Sequence, residues 1–131
     1  MAGTIVANTI NTDTGLFSTQ NAYQGIAKAW VAFTCPSGTI TITGSFNVSS
    51  VTRIATGAYT ITFTTNMANA NYSAVVSSSN LGSSGGFAGV YFNPNVGGDA
   101  VPTTSSFVVG CRQLSGAAGD ANYANVVVMS S

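Results

Sequence analysis

Thr39-Ile40-Thr41-Ile42-Thr43-Gly44-Ser45-Phe46-Asn47-Val48 alternates along its whole length. Ile40, Ile42, Gly44, Phe46 and Val48 share one side, and Thr41, Thr43, Ser45 and Asn47 the other. Successive side chains of an extended chain point to opposite faces, so this period of two predicts one half-buried strand. Tyr59-Thr60-Ile61-Thr62-Phe63-Thr64 repeats the pattern with an aromatic–aliphatic inner face. Between them, Ala55-Thr56-Gly57-Ala58 predicts a hairpin turn in which Gly57 takes a positive φ, with Val51 and Arg53 on the incoming arm.

Weaker alternation predicts further strands over Ile26 to Thr34, Tyr72 to Ser77, Gly86 to Asn93, Ser105 to Arg112 and Asn122 to Ser130. Clusters rich in Gly, Pro, Ser and Asn separate them at Cys35 to Gly38, Ser79 to Gly85, Asn93 to Pro102 and Ser115 to Asp120. Short strands about ten residues apart with such punctuation predict an all-β, antiparallel β-sandwich of jelly-roll or immunoglobulin-like size. Asn21 to Ala29 is the one place where a short helical turn competes. The sandwich is assigned to residues 25–131, and Tyr23, Trp30, Phe33, Phe46, Tyr59 and Phe63 are its candidate aromatic core. Residues 1–24 form a second unit, an extended N-terminal arm in which Thr4, Ile5, Val6 and Ile10 are the candidate attachment residues. Thr12-Asp13-Thr14-Gly15 within it reads as a turn.

Charge narrows the function. The 131 residues include three Lys or Arg, three Asp or Glu and no His, a charged fraction of 5%. An ordinary globular domain carries roughly 25%. Ser, Thr, Asn and Gly fill the polar places instead. Net charge is zero, so no basic patch neutralises phosphates, and nucleic-acid partners are not expected. Low charge also removes the repulsion that keeps copies apart, which favours a homo-oligomer. The hydrophobic fraction of 45% argues against disorder. No apolar run approaches the ~20 residues that span a bilayer, and the N-terminus lacks the features of a signal peptide. Synthesis in a cytoplasm without membrane insertion is expected.

Catalysis is not expected either. General acid–base work needs a group poised near neutrality, most often His. Asp13, Asp99 and Asp120 stand on three different loops, a poor start for a carboxylate pair. No cofactor or metal is expected, because a carboxylate cluster and His are both missing. The glycine-rich stretches Gly82 to Gly86 and Gly110 to Gly119 lack the Gly-Lys-Ser/Thr ending of a phosphate-binding loop. Cys35 and Cys111 match no metal spacing. They read as two small buried residues or as a disulfide between strand ends.

Several segments, in order, carry a resemblance: Gly3 to Ile10, Ile26-Ala27-Lys28-Ala29-Trp30-Val31-Ala32-Phe33, Ser45 to Arg53, Thr56 to Thr65, and Met67 to Tyr72 with Val75. Over roughly the first 76 positions the chain resembles small virion structural and tail-fibre-type proteins of tailed bacteriophages, particularly aquatic and cyanobacterial phages. It departs from that pattern in the apolar Ile54 and Ala55 at the hairpin tip and in Cys35-Pro36. The resemblance implies a virion location, a trimeric fibre module and other virion proteins as partners. The expectation is therefore a non-enzymatic tail-fibre or fibre-tip component contributing to host attachment. A capsid decoration or head-fibre protein without receptor binding is the alternative.

Host surface glycans are the expected external partner. Tyr91, Asn93, Asn95 and Asp99 lie in or near the longest distal loop, Asn93 to Pro102. An aromatic face with amide and carboxylate neighbours is what a sugar ring needs. Tyr91 and Phe92 are adjacent, so the competing reading places at least one of them in the core or between subunits.

Overall fold

The computed structural model describes residues 9–12, 15–18, 25–79, 87–92, 101–113 and 117–130. Strand β1 (Thr9–Thr12) pairs with β2 (Gly15–Ser18) in an antiparallel hairpin whose closing pair is Thr12 and Gly15, at the predicted turn. The remaining strands are β3 (Ala29–Thr34), β4 (Thr41–Phe46), β5 (Val48–Ala55), β6 (Ala58–Phe63), β7 (Ser73–Ser79), β8 (Phe87–Phe92), β9 (Ser106–Gln113) and β10 (Tyr123–Met129). They form two four-stranded antiparallel sheets, ordered β4-β3-β10-β7 and β5-β6-β9-β8. β10 inserts between β3 and β7, so the last strand is a hydrogen-bonded neighbour of the first strand of the pair of sheets.

The two sheets pack face to face, with alternate residues of β3, β6 and β10 turned inward. Val31 and Phe33 of β3 and Val126 and Val128 of β10 meet Tyr59, Ile61 and Phe63 of β6 and Phe107, Val109 and Cys111 of β9 in one core. Phe33 meets Tyr59 edge-on across the sheets, with ring centroids 5.1 Å apart. Phe63, Tyr72 and Phe107 form a second aromatic group with centroids 5.5 to 5.6 Å apart. Burial of each large apolar side chain contributes roughly 1.5–3 kcal/mol, so these inner rows carry most of the driving force. The hairpin at Gly57 forms as predicted, with φ at +65°. A Cβ there would come within 2.5 Å of the Cys111 carbonyl oxygen, so both conformation and space require glycine.

The stretch Thr39 to Val48 is not one half-buried strand. Asn47 takes a left-handed φ of +53°, and there the chain leaves one sheet for the other. Val48 opens β5 and is buried, whereas β4 contains no buried residue. Among the described strands β4 lies at the edge, with a partner on one side only. Alternation therefore set its pleat but not its burial. The Asn47 side chain holds the crossover. Its Nδ2 donates to the carbonyls of Lys28 and Thr65, both at 3.1 Å, and its Oδ1 accepts from Thr65 N at 2.7 Å. Asn is among the residues that tolerate left-handed backbone, because its short amide bonds locally.

Two aromatic core assignments also change. Phe33, Tyr59 and Phe63 are buried, but Trp30 and Phe46 are exposed. Ala29, Val31 and Phe33 take the inward phase of β3, which sends Trp30 outward. Ala29 to Phe33 is apolar at every position, so its period could not show which phase faces in. Tyr23 lies outside the described residues.

Candidate functional site

The outward phase of the β4-β3-β10-β7 sheet produces the most unusual surface among the described residues. Phe46 pairs with Trp30, Trp30 with Val127, and Val127 with Val75. These four positions form one cross-strand row from edge to edge of the sheet. Their relative exposures are 56%, 40%, 38% and 58% in that order, so the row lies open. Contiguous open apolar surface of this kind marks interaction sites, whereas scattered apolar residues need no explanation. The next row holds Gly44, Ala32, Asn125 and Ser77 in the same register, all small apart from Asn125. None of the residues of these four strands is charged.

Gly44 shapes the tryptophan. A Cβ at Gly44 would stand 3.2 Å from Cη2 and Cζ3 of Trp30, so the indole extends over the glycine. Beyond Phe46, an open depression of ≈ 400 Å³ is lined by Phe46, Asn47, Thr64 and Thr65. The Asn47 amide in its wall is already committed to backbone partners. The depression thus offers two threonines and an aromatic edge, a lining suited to contact with an uncharged partner.

A second polar cluster fastens the β5–β6 hairpin to the segment before β10. Arg53 donates from Nε and Nη2 to the two oxygens of Asp120, each at 2.9 Å. Asp120 Oδ1 also accepts from Gly57 N at 2.9 Å and from the Tyr59 hydroxyl at 3.1 Å. The Tyr59 oxygen in turn accepts from Ala121 N at 2.9 Å. Burial opposes charge on Asp120, but Arg53, Gly57 and Tyr59 outweigh it and hold the carboxyl below its usual range. Burial drives the Tyr59 phenol strongly upward, so it stays protonated. The Asp120 carboxylate and the Tyr59 hydroxyl are both engaged within the protein, which is the arrangement of a structural clasp.

Cys35 and Cys111 are free thiols, both buried, and burial raises the pKa of each. The reading as small buried residues holds, and the disulfide reading does not. A desolvated thiol is a poor nucleophile.

Of the candidate site residues, Ile10 lies in β1 paired with Phe17, inside a hairpin. Thr4, Ile5 and Val6 lie outside the described residues. Tyr91 lies on β8, paired with Gly110. Asn93, Asn95 and Asp99 lie outside the described residues. The open apolar row was not anticipated. Its signal in the sequence was the apolar run Ala29 to Phe33 and the run Val126 to Val128, where both phases of a strand are hydrophobic. Among the described residues no helix is long and apolar enough to cross a membrane. No protein-family model, curated protein or solved structure matches this chain.

Proposed function

We propose that this chain is a non-enzymatic structural protein of a tailed-phage virion, a self-associating β-sandwich of tail-fibre or fibre-tip type that contributes to host attachment. The observation that carries the self-association is the open row Phe46, Trp30, Val127 and Val75 on a sheet without charge. A monomer gains nothing from leaving such a row in water, and a neighbour would bury it. The virion assignment rests on the resemblance of the first 76 or so positions. The non-enzymatic reading draws support from a chain without histidine and from the commitment of Asp120 to Arg53, Gly57 and Tyr59. Host surface glycans are the proposed external partner, met by neutral hydroxyl- and amide-rich surface.

Immunogold labelling of intact particles carrying the chain tests this reading. Gold at the ends of tail appendages is the expected result. Gold spread over the head makes the chain a decoration or head-fibre protein and removes the receptor role. Absence of the chain from purified particles overturns the virion assignment.

A further inference from the structure

We propose that the outer face of the β4-β3-β10-β7 sheet docks a second copy of this chain, face to face about a two-fold axis. The inference rests on the self-association reading and names its surface, its partner and its symmetry. The two rows are the reason. Phe46, Trp30, Val127 and Val75 form a ridge across the sheet. Ala32, Asn125 and Ser77 form a lower row beside it, two residues along each strand, or about 7 Å away. The Gly44 end of that row is occupied by the Trp30 ring.

A two-fold axis lying in the interface, parallel to the rows and midway between them, carries each ridge onto the other copy's lower row. Phe46 then meets the second copy's Trp30 ring where it lies over Gly44, Val127 its Asn125, and Val75 its Ser77, each contact made twice. Such reciprocity is the defining property of an isologous contact. Charge points the same way. The four strands carry no charged residue, so two identical faces approach without repulsion, while a charged partner would find no complement. Four strands about 4.8 Å apart and six to seven residues long present on the order of 400 Å² per copy. That is about 800 Å² in total, below the roughly 1,200 Å² at which stable specific complexes begin, so the contact is a weak, reversible one and the dimer dissociates on dilution. A two-fold contact also departs from the three-fold order that the resemblance implies.

Trp30 is the sole tryptophan and stands in the ridge, so its fluorescence reports on this face directly. The full chain is followed over a concentration series by sedimentation and by acrylamide quenching of Trp30. The expected result is a reversible dimer whose formation shields Trp30. Val127→Lys puts a charge into the ridge and is expected to weaken the dimer about tenfold or more. Ser77→Lys, at an exposed position, does the same if the first variant does not fold. Thr52→Lys, exposed on β5 of the other sheet, is expected to leave the dimer unchanged. An oligomer in which Trp30 stays as quenchable as in the dilute chain overturns the docking face but leaves self-association standing. A trimer that shields Trp30 overturns the two-fold contact. A monomer with Trp30 already shielded means that the chain's own residues cover the face, and the inference fails. A monomer with Trp30 open at every concentration overturns the inference and the self-association reading together.

Discussion

Asp120→Ala removes the acceptor of four hydrogen bonds, two from Arg53 and one each from Gly57 N and the Tyr59 hydroxyl. The losses are unequal. Arg53 is partly open, and water takes over its guanidinium. Gly57 and Tyr59 are buried, so their donors are left without a strong partner. A buried orphan donor costs about 1–3 kcal/mol, and two cost about 2–6 kcal/mol. The Cys35 thiol beside Tyr59 is a weak acceptor that holds the tyrosine's share near the lower end. With a urea m-value of about 2 kcal/mol/M, even about 2 kcal/mol lowers the midpoint by about 1 M. Urea unfolding of Asp120→Ala and Arg53→Met, followed by far-UV circular dichroism, measures this. Arg53→Met keeps an acceptor for Gly57 and Tyr59, so its loss should be clearly smaller. Equal losses, or a larger one for Arg53→Met, would refute the claim that the buried donors dominate the clasp and would return the weight to the ion pair.

The crossover at Asn47 gives a paired test: Asn47→Gly keeps the left-handed backbone but loses the amide bonds, and Asn47→Ala loses both. Asn47→Ala should therefore be the less stable of the two by about 1–2 kcal/mol in the same urea assay. Gly57→Ala combines a positive φ with a 2.5 Å approach to the Cys111 carbonyl, and soluble yield and thermal melting should show loss of the folded state at ordinary temperature. Asp120, held below its usual value of 3.8, contributes stability that is present above that pH and lost as pH falls through its folded-state value. Acid titration should show this component in the parent chain and not in Asp120→Ala. At the alkaline end, burial raises Tyr72 from its ordinary 10.0 to about 12, so stability should fall as pH rises from about 10 through about 12. Tyr72→Phe, read by melting at pH 11, should reduce that fall.

The strands themselves were legible because a two-residue period is a local property. Tyr59 to Phe63 alternates apolar with threonine, and it folds with those apolar residues inward. Gly57 was legible for a similar reason, since a tight turn between two such runs needs a positive φ. What a local pattern does not carry is the partner of a strand, nor its phase where both sides are apolar. In Ala29 to Phe33 and in Val126 to Val128 both phases are apolar, so either side could have faced in. The choice was made by the opposite sheet, where Tyr59 offers its ring edge-on to Phe33. That choice sent Trp30 and Val127 outward and created the open row. In Thr39 to Val48 the alternation was real, but Asn47 breaks it to change sheets, and an edge position left β4 unburied. The clasp joins Arg53 to Asp120 across 67 positions, a pairing that exists only once β10 has inserted beside β3. The residue pattern alone carried the β class, the Gly57 hairpin and the near absence of charge with which to act. Where both faces of a strand are apolar, as in Ala29 to Phe33 and Val126 to Val128, the face that meets water was left to the fold, because it depends on which sheet packs opposite and not on the neighbours in the chain.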